Sequence, residues 1–336
     1  MKMVIIITNH NNYSMSNIGT VLKKQLGEYT VLSDKNIIWC GLSSKLRKRL
    51  IYPTSSNIRQ KVKKVVGIGF VDPVAIGDKV RFSTMTNNEG VIKEVLPRQN
   101  KMVRQATGPK PLEQIIAANV DQILCIISTA KPAPKWSILD RYLLEAEIEN
   151  IPVIICITKM DIANQKKLSP IVATYRKIGY KVVLTSVITG EGIKDIQQIV
   201  NNRISVIVGM SGVGKTSLLN AVQPSLGLEV RAISAATGKG VHTTTHLEMF
   251  HLTNGGYMID TPGVKVFGLW GIEPLEIAEL FPEMRPFLVR CRFRPNCTHV
   301  HEPNCAVKSA VEDGIISHLR YKSYKGIIAK VRATTK

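Results

Sequence analysis

The sequence has few acidic residues and no long apolar run. Its 336 residues contain 25 Asp and Glu against 45 Lys and Arg, which gives a formal net charge of +20 at pH 7. A membrane-spanning helix needs roughly 18 or more consecutive apolar residues, and a secretory signal needs an apolar stretch of roughly 7–15, longer than the run at residues 4–7. We therefore expect a soluble, intracellular protein whose charge serves a polyanionic partner: RNA, DNA or an anionic membrane.

Cysteine is also scarce, and the positions of the six cysteines argue against disulfides. Cys125 and Cys156 lie inside apolar, strand-like segments and Cys40 follows Trp39, so we expect these three to be buried. The other three lie near a histidine, a pattern typical of a metal site in a reducing compartment. We find no internal repeat and no low-complexity segment in the sequence.

Positive charge is concentrated toward the two ends of the chain. Residues 1–105 contain 18 Lys and Arg against 6 Asp and Glu, residues 106–265 contain 16 against 12, and residues 266–336 contain 11 against 7. The basic segment at residues 45–64 could be an ordinary solvated linker, but its number of like charges favours contact with RNA. We expect the polyanionic partner to contact the two flanks.

The arrangement of strand and helix patterns predicts an α/β protein with a separate barrel. Short strand patterns follow an irregular leader at residues 1–15 and predict a small β-barrel. These patterns lie at 28–32, 37–42, 64–70, 79–84 and 90–96. Alternating strands and helices then predict a parallel sheet, and the segment beyond residue 265 is mostly helical and basic. The sheet's predicted elements are strands 122–128, 153–158, 182–185 and 204–208, helices 138–149, 165–178 and 215–222, and a hairpin of 246–252 and 257–260.

A phosphate-binding loop is the strongest motif in the sequence. Gly209-Met-Ser-Gly-Val-Gly-Lys-Thr216 has the pattern G-x-x-x-x-G-K-T between a predicted strand and a predicted helix. Its glycines let backbone N–H groups face the β-phosphate, and Lys215 adds a positive charge. Thr216 offers a hydroxyl to Mg²⁺, and Ser217 can bond the α-phosphate. The predicted nucleotide-binding residues of this loop are Gly209, Met210, Ser211, Gly212, Val213, Gly214, Lys215, Thr216 and Ser217.

Two later segments have the composition of γ-phosphate sensors. Asp260-Thr-Pro-Gly263 ends a predicted strand, where a P-loop protein needs an acid for Mg²⁺ and a glycine N–H for the γ-phosphate. We therefore assign Asp260 to Mg²⁺ and Gly263 to the γ-phosphate. Between the two motifs, a loop containing Thr243, Thr244 and Thr245 could bring a threonine hydroxyl to the metal, and the sequence leaves open which of the three does so.

A base-binding loop precedes the phosphate loop. Thr158-Lys-Met-Asp161 follows an apolar strand, so its side chains should emerge at the carboxyl edge of the sheet, where ligands bind in open α/β folds. The predicted contacts are Thr158, Lys159, Met160 and Asp161, with Asp161 accepting hydrogen bonds from guanine N1–H and its amino group. The alternative is a simple surface turn. Ser186, one strand later, favours the base-binding hypothesis because guanine-binding proteins place a second base loop there.

A third motif has the composition of a zinc site. Three thiolates and one imidazole, spaced C-x₅-C-x-H-x₅-C, complete a tetrahedral structural site and leave no position for a catalytic water. The alternative is a set of unrelated buried cysteines, but the surrounding Pro- and Asn-rich basic segment offers no apolar core. The predicted zinc ligands are Cys291, Cys297, His299 and Cys305.

Together these motifs resemble the circularly permuted GTPases that act in late assembly of the small ribosomal subunit. The permutation places the base loops before the phosphate loop, and residues 188–203 could bridge the original termini. The resemblance covers nearly the whole chain apart from residues 1–15. It is carried by the phosphate loop and by Leu96-Pro-Arg98, Ala117-Ala-Asn-Val-Asp121, Asp140-Arg-Tyr142, His242-Thr-Thr-Thr245, Asp260-Thr-Pro-Gly263, Glu302-Pro and Cys305-Ala-Val-Lys308.

The resemblance implies three domains with separate tasks. They are an N-terminal OB-type β-barrel that binds RNA (16–105), a circularly permuted P-loop GTPase domain with a parallel sheet (106–265) and a C-terminal helical zinc-binding domain (266–336). It further implies that the protein binds GTP, GDP and the small ribosomal subunit with its rRNA. The implied cofactors are Mg²⁺ with the nucleotide and structural Zn²⁺, and the implied activity is slow GTP hydrolysis stimulated by the ribosomal particle. We expect a monomer in the cytoplasm, or in the plastid stroma if the protein is organellar, and no membrane contact.

Departures from the family's pattern affect specificity and catalysis. Thr158 replaces the usual asparagine, which predicts guanine selectivity at reduced affinity, and Val187 follows Ser186 where alanine is common. The first cysteine gap has five residues where four is usual. Val264 stands where Ras-like proteins carry the water-orienting glutamine. His242 is therefore the candidate for placing the water, the alternative being a solvent-exposed loop histidine.

The sequence is also compatible with two other functions. The missing glutamine is compatible with an RNA-binding assembly factor that holds nucleotide without meaningful turnover. A nucleic-acid ATPase unconnected with the ribosome would also carry a P-loop and a basic flank, and it would bind adenine nucleotides in competition with GTP.

Overall fold

The computed structural model describes residues 16–25, 27–48, 72–85, 88–105, 113–228, 248–261 and 272–334. Within these ranges the strands are β1 (Ser16–Gln25), β2 (Glu28–Ser33), β3 (Asn36–Leu42), β4 (Lys79–Thr84), β5 (Glu89–Val95), β6 (Lys101–Gln105), β7 (Glu113–Ala118), β8 (Gln122–Ser128), β9 (Val153–Thr158), β10 (Lys181–Leu184), β11 (Ile204–Val208), β12 (Glu248–His251) and β13 (Tyr257–Asp260). The α-helices are α1 (Ser44–Arg47), α2 (Trp136–Ile148), α3 (Gln165–Ile178), α4 (Ile193–Ile199), α5 (Lys215–Val222), α6 (Arg285–Leu288), α7 (Ala306–Glu312) and α8 (His318–Thr334). None of the helices described is long and apolar enough to cross a bilayer.

The first five strands close into a barrel in the order β1-β2-β3-β5-β4, with β4 pairing back to β1. Its interior is apolar and includes Val21, Val31, Phe82 and Ile92, which are fully buried. Gly19 lies where the strands approach closely, because a Cβ there would be 2.4 Å from Val31 Cγ1. The predicted barrel is confirmed, although β1 was not predicted and the strand expected at residues 64–70 lies outside the described residues.

The middle of the chain forms the predicted parallel sheet, ordered β10-β9-β8-β11-β13, and β12 pairs antiparallel with β13. All seven residues of β8 are buried, as expected for a strand covered on both faces. One face packs against α2 and α3, and the other packs against α4 and α5. The carboxyl ends of β8, β9, β11 and β13 therefore meet at one edge, where the predicted nucleotide motifs lie.

Barrel and sheet are joined into one continuous eleven-stranded sheet. Strand β1 pairs with β12 through Lys23 and Glu248, whose side chains form an ion pair at 3.1 Å. Arg98 binds the fully buried Asp78 carboxylate, with its Nε 2.7 Å from Oδ1. Strands β6 and β7 pair with each other across the predicted domain division between residues 105 and 106, and that division stays a prediction.

The C-terminal helices pack around the cysteine cluster and against α2. The guanidinium group of Arg320, on α8, is fully buried and binds Asp140 of α2 at 2.5 Å and Glu283 at 2.6 Å. Tyr175 of α3 donates its hydroxyl hydrogen to the same Asp140 carboxylate at 2.8 Å. Phe281 packs its ring 4.6 Å from the guanidinium carbon. The buried charge of Arg320 is thus neutralised by two carboxylates from outside α8. One of them, Asp140, lies on a helix that packs against the parallel sheet.

Candidate functional site

The phosphate-binding motif forms a tight loop between β11 and α5, as the sequence predicts. Gly209, Gly212 and Gly214 have positive φ values of 154°, 78° and 97°, a region that disfavours other residues. A Cβ on Gly209 would lie 2.5 Å from the Ile126 carbonyl oxygen, so only glycine fits there. Helix α5 begins at Lys215, and its first-turn N–H groups are available to an anion.

Lys215 and Asp260 provide the opposite charges of this site. The Lys215 ammonium donates to the carbonyl oxygens of Gly209 at 2.8 Å and Met210 at 3.0 Å, which holds it over the loop. Burial lowers the pKa of Lys215, and Asp260 acts in the opposite direction. Burial likewise raises the pKa of Asp260, opposed by Lys215 and by a hydrogen bond from the Thr261 backbone.

One carboxylate oxygen of Asp260 remains available to a ligand. Oδ1 of Asp260 is buried and has no hydrogen-bond partner within the described part of the chain. Asp260 is paired in register with Ile207, the second residue before Gly209. A buried, unpartnered carboxylate oxygen beside a phosphate loop fits a Mg²⁺ ion or its coordinated water.

The base-loop motif lies at the end of β9 and is organised by hydrogen bonds. Asp161 is exposed, and its Oδ1 accepts a hydrogen bond of 2.6 Å from the Ser186 hydroxyl. Ser186 in turn accepts the backbone N–H groups of Ile188 and Thr189 at 3.2 and 3.3 Å. The two predicted base loops are therefore in direct contact, and the Asp161 carboxylate faces away from the core.

Base loop and phosphate loop also touch each other. The Thr158 hydroxyl is buried and donates to the Val213 carbonyl oxygen at 2.6 Å. Lys159 reaches the same loop, with its ammonium 3.0 Å from the Gly212 carbonyl oxygen. Burial lowers the pKa of Lys159, and the Asp161 carboxylate opposes that shift. These two bonds bring the segments predicted to bind base and phosphate together at one edge of the sheet.

A third loop contributes contacts that sequence reasoning missed. The Thr129 hydroxyl, just after β8, donates to the Lys159 carbonyl oxygen at 2.8 Å, and the Lys159 ammonium also donates to the Lys131 carbonyl oxygen. Ser128 closes the turn by donating its hydroxyl hydrogen to Pro132 O at 2.8 Å. The only signal in the sequence is position, because this loop follows a buried parallel strand between two motif-bearing strands.

Some predicted site residues contribute backbone only, and others lie outside the described residues. The side chains of Met160 and Val213 are 6% and 3% exposed and pack in the core, so each offers a ligand its backbone atoms alone. The remaining predicted residues, candidates for γ-phosphate sensing and water placement, have no described position: His242, Thr243, Thr244 and Gly263.

The four predicted zinc ligands converge in the C-terminal domain. Their ligand atoms all lie within 4.8 Å of one another, and all four residues are buried. The Sγ of Cys305 is 3.8 Å from that of Cys291 and 3.9 Å from that of Cys297, and 3.4 Å from Nδ1 of His299. A tetrahedral Zn²⁺ with Zn–S bonds of about 2.3 Å separates its sulfurs by about 3.8 Å. The donor set and its spacing fit that ion.

Burial and hydrogen bonds define the surroundings of the cluster. Burial raises the pKa of the Cys297 thiol to about 12 and lowers the pKa of the His299 imidazole. The loop itself is held by Glu302, whose carboxylate accepts the Thr298 hydroxyl and N–H at 2.6 and 2.8 Å, and by the Tyr321 hydroxyl, 2.7 Å from His299 O.

The fold and this site define a P-loop GTPase whose base loops precede its phosphate loop in the chain. The family model described as RsgA GTPase matches residues 95–270. The chain belongs to the RsgA GTPase family.

Similar proteins support this assignment over almost the full length. The small ribosomal subunit biogenesis GTPase RsgA of Caldanaerobacter subterraneus subsp. tengcongensis is 35% identical over 318 residues, covering 95% of this chain and 97% of that relative. The crystal structure of YjeQ from Thermotoga maritima has a TM-score of 0.70 at 30% identity, covering 94% of this chain and 98% of that one. The structure of YloQ, a circularly permuted GTPase, has a TM-score of 0.67 at 32% identity, covering 97% and 98%.

Proposed function

We propose that this GTPase assists late assembly of the small ribosomal subunit, binding the particle with GTP and leaving after hydrolysis to GDP. The observation that carries the proposal is the bond from Thr158 to Val213, which joins the base loop to the phosphate loop as one nucleotide requires. Support for the ribosomal target comes from relatives named small ribosomal subunit biogenesis GTPase and from the net charge of +20. We further propose ribosomal stimulation of hydrolysis, a cytoplasmic location and a monomer.

We assign the phosphate chemistry to charge stabilisation and positioning. Lys215 and the loop N–H groups bind the β- and γ-phosphates, and Ser217 bonds the α-phosphate. Thr216 and Asp260 hold Mg²⁺, which when bound neutralises charge on the phosphate oxygens. In the segments outside the described residues, we assign γ-phosphate sensing and metal closure to Thr243, Thr244 and Gly263, and placement of the water to His242.

Base recognition is assigned to Asp161, and its replacement tests that assignment. In Asp161→Ala we expect the affinity for GDP to fall about ten- to hundredfold, because a charge-assisted hydrogen bond is worth about 1.5–3 kcal/mol. Affinity for inosine diphosphate, which lacks the 2-amino group, should fall less. Fluorescence titration with both nucleotides measures the two effects.

Asp195→Ala is the matched control, since Asp195 is an exposed aspartate on α4 and is not among the predicted nucleotide-binding residues. It should bind both nucleotides like the parent protein. Hydrolysis of ATP at the rate of GTP by the parent protein would contradict guanine recognition by Asp161. It would favour the nucleic-acid ATPase instead.

Binding to the ribosomal particle should depend steeply on salt. Contacts between phosphates and Lys or Arg release counterions, so affinity falls about 10³–10⁵-fold between 50 and 200 mM salt for six to ten phosphate contacts. We expect small-subunit RNA to be retained by the immobilised protein at low salt and lost at high salt. Quantification of the retained RNA checks this, with large subunits as the control; retention that does not change with salt argues against an electrostatic RNA interface.

A second candidate is an assembly factor that holds nucleotide without meaningful turnover. Val264, in place of the water-orienting glutamine, is the observation that favours it. Phosphate release measured with and without purified small subunits separates the two. Release that stays near background with the particle present supports the second candidate.

A further inference from the structure

The loop after β8 makes a pair of hydrogen bonds to the base-binding segment. Beside the hydroxyl bond to Lys159, the Thr129 backbone N–H donates to the Thr158 carbonyl oxygen at 3.1 Å. We infer that Thr129 is a positioning residue of the guanine site, acting through Lys159 on the Asp161 carboxylate. The inference rests on the proposed role of Asp161 in base recognition.

Lys159 needs such support because its backbone is left-handed, with φ 63° and ψ 42°. For a residue other than glycine this conformation costs about 1–2 kcal/mol and persists only where neighbours hold it. The structure holds Lys159 at both ends. Its ammonium is bonded to Gly212 O and Lys131 O, and its carbonyl oxygen is bonded to the Thr129 hydroxyl.

The peptide of Lys159 contributes to the orientation of Asp161, together with the hydrogen bond from Ser186. A one-turn 3₁₀ helix, Met160–Ile162, begins directly after Lys159, and the Ile162 N–H closes it onto the Lys159 carbonyl oxygen at 3.2 Å. That same oxygen accepts the Thr129 hydroxyl hydrogen. The Thr129 bond therefore ties the short helix that carries Asp161 to the end of β8. Without the Thr129 hydrogen bond, the short helix loses one of the contacts that orient the Asp161 carboxylate.

A substitution at Thr129 can distinguish its hydrogen bond from its contribution to packing. Its side chain is half-buried at the sheet edge, and valine has nearly the same shape without the hydroxyl. Replacing Thr129 by valine should therefore leave the core packing intact and affect only the base-binding segment that the hydroxyl contacts. The measurable consequence is a weaker distinction between nucleotides that differ at the group Asp161 recognises.

The test compares GDP with inosine diphosphate in the full-length protein. In Thr129→Val we expect GDP affinity to fall about three- to tenfold, as for one hydrogen bond, and the ratio of GDP to inosine diphosphate affinity to fall with it. Thr129→Ser keeps the hydroxyl and should restore both. Thr174→Val is the matched control, because the Thr174 hydroxyl donates to Pro170 O at 3.0 Å on α3; it should bind like the parent protein.

Thermal unfolding of each variant accompanies the titrations. An unchanged affinity ratio in Thr129→Val, with or without a lower midpoint, overturns the inference and leaves the proposed function standing. If Thr129→Val does not fold, Thr129→Ala is measured by the same ratio and judged in the same way. A parent protein without preference for GDP over inosine diphosphate removes base recognition by Asp161, and the inference falls with it.

Discussion

Lys215→Ala is expected to lower GTP hydrolysis about 10²–10³-fold, the usual loss when one preorganised charge at a reacting oxyanion is removed. In the folded protein the Lys215 ammonium is held 2.8 Å from Gly209 O and 3.0 Å from Met210 O, so it is in place before nucleotide binds. Its removal leaves the γ-phosphate without that charge, while the backbone N–H groups of the loop remain. Phosphate release with saturating GTP, in the presence of small subunits, measures the loss.

The control for this variant is Lys194→Ala, an exposed lysine on α4. It should hydrolyse GTP at the parent rate, and both variants should unfold at similar temperatures. Parent-like hydrolysis by Lys215→Ala would show that the phosphate loop does not carry the reaction. Equal, near-zero release from parent and variant would instead support the factor that holds nucleotide without turnover.

Replacing a zinc ligand is expected to unfold the C-terminal domain. Structural zinc sites contribute apparent binding energies of about 10–16 kcal/mol at pH 7, which equals or exceeds the free energy of unfolding of most domains. Cys297→Ser removes one of four ligands and leaves three polar groups in a buried cluster. We expect one zinc ion per parent chain, marked loss of zinc in the variant and a separate, early unfolding transition. Elemental analysis and calorimetry measure these quantities.

Cys156→Ala is the matched control, because Cys156 is a fully buried cysteine in β9, outside the cluster. It should cost the few kcal/mol of a small core truncation and leave zinc content unchanged. Chelation of the parent protein should reproduce the Cys297→Ser behaviour. Full stability after complete removal of zinc would mean that packing alone holds the domain.

Local apolar pattern was enough to predict the sheet. Strands β8, β9, β11 and β13 have the predicted bounds, because buried parallel strands are continuous apolar runs ended by motif residues. Strand β1 was missed because Ser16-Asn-Ile-Gly-Thr20 does not alternate clearly. Helix α4 was missed because it is short and lies in the segment interpreted as a bridge. Both depend on partners distant in sequence.

The sequence predicts the parts of the site whose residues lie close together in the chain. It does not predict the contacts that folding makes between distant segments. The phosphate and zinc motifs carry their residues within short spans, and the structure brings each set together. Thr129 carries no motif, and its role appears only when β8 lies beside β9. The prediction that Thr158 lowers guanine affinity remains untested, although its hydroxyl makes the inter-loop bond at 2.6 Å.

The buried guanidinium of Arg320 has a consequence for the architecture of the enzyme. Asp140 is fully buried on α2, and Arg320 is the cation bound to it across 180 positions of sequence. A chain ending before α8 would leave that carboxylate buried without its cation. Breaking a buried ion pair in this way lowers the free energy of unfolding by about 3–5 kcal/mol. The C-terminal helices thus stabilise the nucleotide-binding sheet through α2, and their loss would also lower the free energy of unfolding of the rest of the chain.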